Sequence, residues 1–249
     1  IRREDQPGDV VVLYAPGQDQ VFSYYYRGPD PVVGLPTQRP PQTQAVAAQL
    51  AGLAAQHRRL WIVEYAMSEA DPAGLVPAWL AQHAFLASHR WFGSVQLLLY
   101  ALPGATQPST EHVVEARFNN GANLLGYQLA TTSVSAGGTV ALTLYWQDQT
   151  PIAQRFTVFT HLLDAHNKVV AQHDGEPAGG TRPTTTWKPG ERITDQHGIA
   201  IPATLPPGAY TLEVGMYLPA SGVRALEAPP GQPAVDHLLL GQVTVQPAP

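Results

Sequence analysis

A change of hydrophobic pattern at residues 103–110 constrains the fold of this 249-residue chain more than any other feature. The segment reads PGATQPST, and its prolines, glycine and small polar residues are typical of a linker. Before it, short apolar runs alternate with stretches of helical periodicity, whereas after it short strands follow one another between turn residues. The sequence therefore predicts two domains, 1–104 and 105–249.

Four apolar runs in the first part predict strands at 10–14, 31–36, 60–65 and 95–101. Stretches of helical periodicity separate them, at 19–27, 43–57 and 76–87. Strands that alternate with helices through short connections favour a parallel sheet covered by helices. We therefore expect a small three-layer α/β domain with a mostly parallel four-stranded sheet.

Three adjacent tyrosines, Tyr24 to Tyr26, fall in the first predicted helix. Neighbouring helical residues point about 100° apart, so the three rings cannot form one flat sugar-binding platform. Tyr25 shares a helix face with Val21 and Phe22, which predicts that Tyr25 packs on the sheet. Sugar stacking by one of the rings is the alternative.

Period-two alternation dominates the second part and predicts an antiparallel β-sandwich, Ig-like or jelly-roll-like. Between residues 140 and 146, one face carries Val140, Leu142, Leu144 and Trp146. Between residues 210 and 218, Tyr210, Leu212, Val214, Met216 and Leu218 face inward, which leaves Thr211, Glu213 and Tyr217 outward.

Composition excludes several function classes. The net charge of −5 and the lack of a basic cluster argue against nucleic acid as a partner. The absence of cysteine removes disulfides, thiolate nucleophiles and cysteine-ligated zinc. The sequence contains no nucleotide-binding, nucleophile-elbow or zinc-protease motif, so we predict no cofactor and no catalytic residue within this chain.

Five histidines in the second part raise the question of a metal site: His161, His166, His173, His197 and His237. A two-residue turn at 166–167 places His161 opposite Gln172 rather than His173. The side chains of His161 and His173 then point to opposite faces of the sheet. We therefore predict no metal site.

Asp195 and His197 are polar residues at inward-facing positions. Side-chain alternation places them on the same side of the strand as Ile193 and Ile199. This predicts either a buried Asp–His pair or a bulge that turns both side chains outward. A role in ligand contact, or in a hydrolase that uses the pair, is the alternative.

Exposed aromatic side chains are the expected sugar contacts, because their faces stack on pyranose rings. By parity Tyr145 and Tyr217 face outward, and Trp187 lies in a loop. Together with Asp195 and His197 they form the candidate ligand-binding set. The acidic residue Asp71 is interpreted as a helix cap.

The chain resembles the extracytoplasmic C-terminal region of bacterial family 39 glycosyltransferases, the protein O-mannosyltransferase-like multi-pass enzymes. In the first part the resemblance rests on GDVVVLY at 8–14, FSYYY at 22–26, RRLWIV at 58–63 and RWFG at 90–93. In the second it rests on LLGY at 124–127, VFTHLL at 158–163, WKPGE at 187–191, PPGAY at 206–210 and HLLLG at 237–241.

The resemblance implies a non-catalytic accessory role on the extracytoplasmic face of the membrane. Such enzymes transfer a sugar from a polyprenyl-phosphate donor, and their catalytic acid lies in a loop between early membrane helices that this sequence lacks. The implied partners are the membrane-embedded part of the same polypeptide and a glycan or lipid-linked sugar. The alternative is a secreted carbohydrate- or protein-binding module with no transferase attached.

Overall fold

A computed structural model describes residues 1, 4–14, 17–65, 67–102, 111–227 and 233–248. The chain divides into two compact units, Ile1–Thr106 (unit 1) and Gln107–Pro249 (unit 2). The linker predicted at 103–110, which contains the predicted domain boundary, lies outside the described residues.

The described residues of unit 1 form one mixed sheet and four helices. Its elements are β1 (Val10–Tyr14), α1 (Asp19–Tyr25), β2 (Val32–Leu35), α2 (Thr43–Gln56), β3 (Arg59–Glu64), α3 (Met67–Ala70), α4 (Leu75–His83), β4 (Phe85–Phe92) and β5 (Val95–Ala101). The strand order is β2-β1-β3-β5-β4. β1 runs parallel to β2 and β3, whereas β5 is antiparallel to both β3 and β4.

The predicted three-layer α/β domain with a mostly parallel four-stranded sheet is wrong. The sheet has five strands of mixed direction, and the chain as a whole is mostly β, with 45% strand and 17% helix. The helical pattern predicted for 76–87 stops at His83, and the following residues form β4. β4 and β5 then make a hairpin whose turn contains Gly93 at φ 63°, a conformation that glycine adopts without steric cost.

Two helices, α2 and α4, add buried apolar residues to the strand residues in the core of unit 1. Val46 and Leu50 of α2 and Val76 and Leu80 of α4 are buried against one face of the sheet. Helix α1 contributes no buried residue. Helices α2 and α4 therefore cover this face of the sheet, and their buried residues recur at the helical spacing that the sequence predicts.

The packing predicted for Tyr25 is also wrong. Tyr25 is 77% exposed and Val21 is 65% exposed. Tyr24 is exposed as well and contacts Tyr25 edge-on, with ring centroids 5.0 Å apart. Tyr26 alone is held in place, because its hydroxyl donates to Asp30 Oδ2 at 2.6 Å. The apolar face of this two-turn helix borders an open groove instead of closing on the sheet.

Unit 2 is a β-sandwich. Its strands are β6 (His112–Arg117), β7 (Ala122–Leu129), β8 (Ser133–Ser135), β9 (Thr139–Asp148), β10 (Thr157–Leu163), β11 (Val169–Gly175), β12 (Arg192–Ala200), β13 (Gly208–Tyr217) and β14 (Leu238–Gln246). Two short 3₁₀ helices, Pro177–Gly180 and Thr184–Thr186, connect β11 to β12. The sheets have the orders β11-β10-β13-β14-β8 and β12-β9-β7-β6. The prediction of an antiparallel sandwich fails at one position, since β8 pairs parallel to β14.

The inward faces predicted for β9 and β13 are confirmed. Val140, Leu142, Leu144 and Trp146 are all 0% exposed. The inward residues Leu212, Val214 and Met216 of β13 are also 0% exposed and belong to the same core. Because side chains alternate across a strand, the intervening residues of β13 lie on the outer face of the five-stranded sheet.

Candidate functional site

Polar and aromatic side chains gather on the outer face of the five-stranded sheet of unit 2. His161 of β10 pairs in register with Glu213 of β13, and Tyr217 follows on the same face of that strand. We define the outer-face cluster as His161, Asp174, Glu213, Tyr217, Arg224, Asp236 and His237.

His161 lies at the centre of this cluster between two carboxylates. Its Nδ1 is 2.8 Å from Glu213 Oε2, and its Nε2 is 3.6 Å from Asp174 Oδ1. Burial by itself would lower the pKa of His161, but the neighbouring carboxylates of Asp174 and Glu213 raise that pKa above its usual value. The imidazole therefore favours the charged form that both carboxylates stabilise.

Glu213 also faces a second set of charged groups, at the rim of the cluster. Its Oε1 is 3.5 Å from His237 Nδ1 and 3.9 Å from Arg224 Nη1. Asp236 joins the set through His237 Nδ1 at 2.7 Å and Arg224 Nη1 at 3.4 Å. The hydrogen bond from His237 holds the pKa of Asp236 below its usual range.

Two aromatic rings lie within the polar groups. Phe159 is buried, and its ring stacks on the His161 ring at 4.7 Å and lies 4.3 Å from the Arg224 guanidinium carbon. Gly215 makes room for this ring, because a Cβ at that position would lie 2.4 Å from it. The Tyr217 ring is 6.4 Å from Phe159, and the Asp174 carboxylate is close enough to act on its hydroxyl. Burial, and then Asp174, raise the pKa of Tyr217, which keeps the hydroxyl protonated.

The cluster has a fixed base and an accessible rim. The side chains of His161 and Glu213 are each 9% exposed, whereas Asp174 is 26%, Arg224 34% and Asp236 45% exposed. Hydrogen-bond acceptors and donors at the rim therefore stand beside the Tyr217 ring, held by contacts beneath them. Such an arrangement can bind a ligand that carries both hydroxyl groups and an apolar face.

Asp195 and His197 form a buried pair, which confirms the first of the two arrangements expected from their parity. They are 0% and 1% exposed, and His197 Nε2 lies 2.9 Å from Asp195 Oδ2. The carboxylate also accepts from Trp146 Nε1 at 3.1 Å and from the Ala178 backbone N–H at 2.8 Å. Burial would raise the pKa of Asp195, but the charge and hydrogen bond of His197 hold it below its usual value. Neither side chain reaches solvent, which argues against a hydrolytic role.

His173 extends this pair towards the neighbouring sheet. Its Nδ1 is 2.9 Å from His197 Nδ1. Burial and then the neighbouring His197 lower the pKa of His173 to about 3. His161 pairs with Gln172, as predicted, so His161 and His173 have no common site on the sheet.

Trp187 and Tyr145 lie away from the outer-face cluster. Trp187 is in a loop, as predicted, but it is only 5% exposed and its Nε1 donates to the Arg182 carbonyl. Tyr145 is on the other sheet, where the Arg192 guanidinium carbon lies 4.0 Å from its ring centroid. Its hydroxyl donates to Gln128. Neither side chain presents the uncovered ring face expected from the sequence.

The five sequence-predicted ligand residues thus do not form one site. Only Tyr217 lies on the outer-face cluster. The charged members of that cluster come from β10, β11, β13 and the segment between β13 and β14, so they meet only after the strands pair. The sequence indicates this site through one feature, the alternation along β13, which places Glu213 and Tyr217 on the outer face.

Unit 1 contains a groove of about 850 Å³ next to α1. Its lining residues are Ile1, Gly17, Gln18, Val21, Phe22, Tyr25, Val63, Tyr65, Phe92, Val95 and Leu97. Apart from Gln18 and two tyrosine hydroxyls, these side chains are apolar. The groove therefore offers hydrophobic contact but few hydrogen bonds.

Among the residues that the structure describes, no group of three or more histidine, aspartate or glutamate side chains is placed to hold a metal ion. In the same residues, no helix combines the length and hydrophobicity that crossing a membrane requires.

Comparisons with known proteins give distant structural similarities. No protein-family model and no curated protein sequence matches the chain. The C-terminal domain of Wzt is similar in structure, with 11% identity, coverage of 57% of this chain and 81% of that chain, and a TM-score of 0.36. A β-glucuronidase from glycoside hydrolase family 2 is similar at 10% identity, with 54% and 13% coverage and a TM-score of 0.28. At these TM-scores neither similarity establishes a shared fold or function.

Proposed function

We propose that unit 2 is a glycan-binding module whose ligand lies against the outer-face cluster. The observation that carries the proposal is the Tyr217 ring beside accessible acceptors and donors on a single sheet face. Sugar hydroxyls both donate and accept hydrogen bonds, and the C–H face of a pyranose packs on an aromatic ring. Asp174 and Asp236 supply acceptors, and Arg224 supplies donors.

Fixed geometry supports the same proposal. Glu213 and His161 hold the charged rim groups from beneath, so little side-chain freedom remains to be lost when a ligand binds. The groove in unit 1 is a poorer glycan site, because its apolar lining would leave sugar hydroxyls without partners.

Substitutions at the outer-face cluster test the proposal. We expect Tyr217→Ala to weaken glycan binding at least tenfold, because it removes the ring that the sugar would contact and the hydroxyl beside Asp174. Asp236→Asn removes a rim charge and should weaken binding severalfold. A glycan array identifies a ligand, and titration calorimetry then compares the variants.

Tyr145→Ala is the matched control, since Tyr145 is an aromatic residue on the opposite sheet. Its ring is already covered by Arg192, so binding should be unchanged. Equal loss of binding in the Tyr145 and Tyr217 variants, or no glycan bound by the wild type, would contradict the proposed function.

We propose further that the chain serves as the non-catalytic extracytoplasmic portion of a membrane glycosyltransferase with a polyprenyl-phosphate sugar donor. Support for this comes from the sequence resemblance. The coding sequence upstream of Ile1 tests it: we expect about ten or more apolar segments of ~20 residues, with acidic residues in the first external loop. A signal peptide immediately before Ile1 would favour the secreted module with no transferase attached.

A further inference from the structure

The contact between His173 and His197 joins the edges of the two sheets in unit 2. β11, which carries His173, is the edge strand of the five-stranded sheet, and β12, which carries His197, is the edge strand of the other. The two Nδ1 atoms are 2.9 Å apart. Asp195 adds a second tie, because its Oδ1 accepts from Ala178 in the 3₁₀ helix that follows β11.

This contact can carry one positive charge but not two. His197 Nε2 donates to Asp195 Oδ2, which leaves the two Nδ1 atoms to share a single proton. When the histidine pair carries one positive charge, the shared proton still lies between the two Nδ1 atoms. A second charge puts a proton on each Nδ1, so that two N–H groups face each other and the hydrogen bond is lost.

We propose that the His173–His197 contact is an acid-sensitive latch that releases β11, and with it Asp174, from the outer-face cluster. The consequence for ligand binding rests on the proposed glycan-binding function, whereas the release of β11 does not. The latch would make the glycan site pH-dependent through a group that no ligand touches.

The latch is connected to the site through two consecutive residues of β11. His173 points inward to His197, and the next residue of β11, Asp174, points outward to His161 and Tyr217. When β11 moves away, Asp174 leaves both partners. The site then loses an acceptor, and the Tyr217 hydroxyl loses its neighbouring carboxylate.

The charged groups around His173 set the direction of the response. His197 and Asp195 face it from β12, and Asp174 is its neighbour on β11. The adjacent β10 presents the uncharged Thr160, whose hydroxyl donates to the His173 carbonyl. Burial and His197 disfavour the charged imidazole more strongly than the two carboxylates favour it.

The size of the response follows from proton linkage. The pKa of His173 is about 3 in the closed state. Exposed histidine has a pKa of about 6.5, so the open state binds the proton more tightly and opening becomes about tenfold easier for each pH unit below 6.5. Between pH 7.5 and pH 5.0 the opening equilibrium should therefore rise about 30-fold.

Amide hydrogen exchange of the intact chain at pH 7.5 and 5.0 tests the latch without a ligand. After correction for intrinsic exchange rates, protection of β11 should fall about 30-fold at pH 5.0, while protection of β9 should hold. His173→Gln should abolish this pH response. His166→Gln, in the exposed turn before β11, should preserve it.

A pH-independent protection of β11 in the wild type would overturn the latch, and that result needs no variant to fold. Parallel loss of protection in β9 would also overturn it, since the response would then be global unfolding. If β11 responds as expected but no glycan binds at either pH, the latch stands and the proposed function fails. If glycan binds equally well at both pH values while β11 opens, the coupling to the site is wrong.

Discussion

At the scale of single residues, Asp195 shows how a polar side chain is accommodated in the core. Its two oxygens accept from His197, Trp146 and the Ala178 backbone, so every charge and donor in the group has a partner. A buried charge costs several kcal/mol unless it is paired in this way. The pairing explains why an inward Asp can interrupt a run of isoleucines on β12.

Removal of this carboxylate should be strongly destabilising. Asp195→Ala leaves His197, the Trp146 N–H and the Ala178 N–H without their acceptor, and we expect the free energy of unfolding to fall by roughly 3 to 5 kcal/mol. Urea denaturation followed by tryptophan fluorescence measures the change.

Glu111→Ala is the control, since it breaks an exposed ion pair with Arg192. The Glu111 side chain is 36% exposed and the Arg192 side chain is 47% exposed. Exposed pairs contribute up to about 1 kcal/mol. Similar losses in the two variants would show that the buried network is not worth more than a surface pair.

Asp71 is a residue whose role its local sequence reveals. Its carboxylate accepts from the Leu75 and Val76 backbone N–H groups at 2.9 Å each, so it caps the start of α4, as predicted. It also accepts from the Tyr14 hydroxyl at 2.8 Å, a contact across 57 residues that no local pattern contains.

At the scale of elements, α1 differs from the other long helices of unit 1. α2 and α4 each bury two apolar residues, whereas α1 buries none. All three have apolar residues at helical spacing. The pattern therefore identifies a helix without revealing whether its apolar face is covered.

This difference predicts unequal responses to truncation. Leu50→Ala in α2 empties a position that is 1% exposed, and we expect a loss of roughly 2 to 5 kcal/mol in the free energy of unfolding. Tyr25→Ala in α1 should change it by no more than about 0.5 kcal/mol, because the ring is 77% exposed. Urea titrations of both variants provide the measurement. A large loss from Tyr25→Ala would show that α1 is packed against something in solution.

The hairpin of β10 and β11 has the predicted register but a different turn. His161 pairs with Gln172, yet Asp164 accepts from the Lys168 and His166 backbone N–H groups and encloses a longer loop. A register shift after Leu162 compensates for the extra loop residue. The side-chain orientation of His161 therefore agrees with the prediction although the turn does not.

At the scale of the whole molecule, mixed strand directions are the main departure from expectation. Strand and helix alternation is also what a parallel sheet produces, so the pattern by itself cannot show that a hairpin adds a strand at the edge. The missed strand, β4, includes Ala87, which fits the helix face of Val76 and Leu80 equally well. Pairing with β5 decides between the two.

The sequence by itself determined the strands with strong alternation, the inward faces of β9 and β13, the Asp71 cap and the inward-facing parity of Asp195 and His197. Each depends on periodicity or on contacts within a few residues, which local order preserves. Only the tertiary structure decided the sheet directions, the exposure of Tyr25, the burial of Trp187 and the assembly of the outer-face cluster. These depend on which distant segments pair, because strand register brings His161, Asp174 and Glu213 together from three different strands.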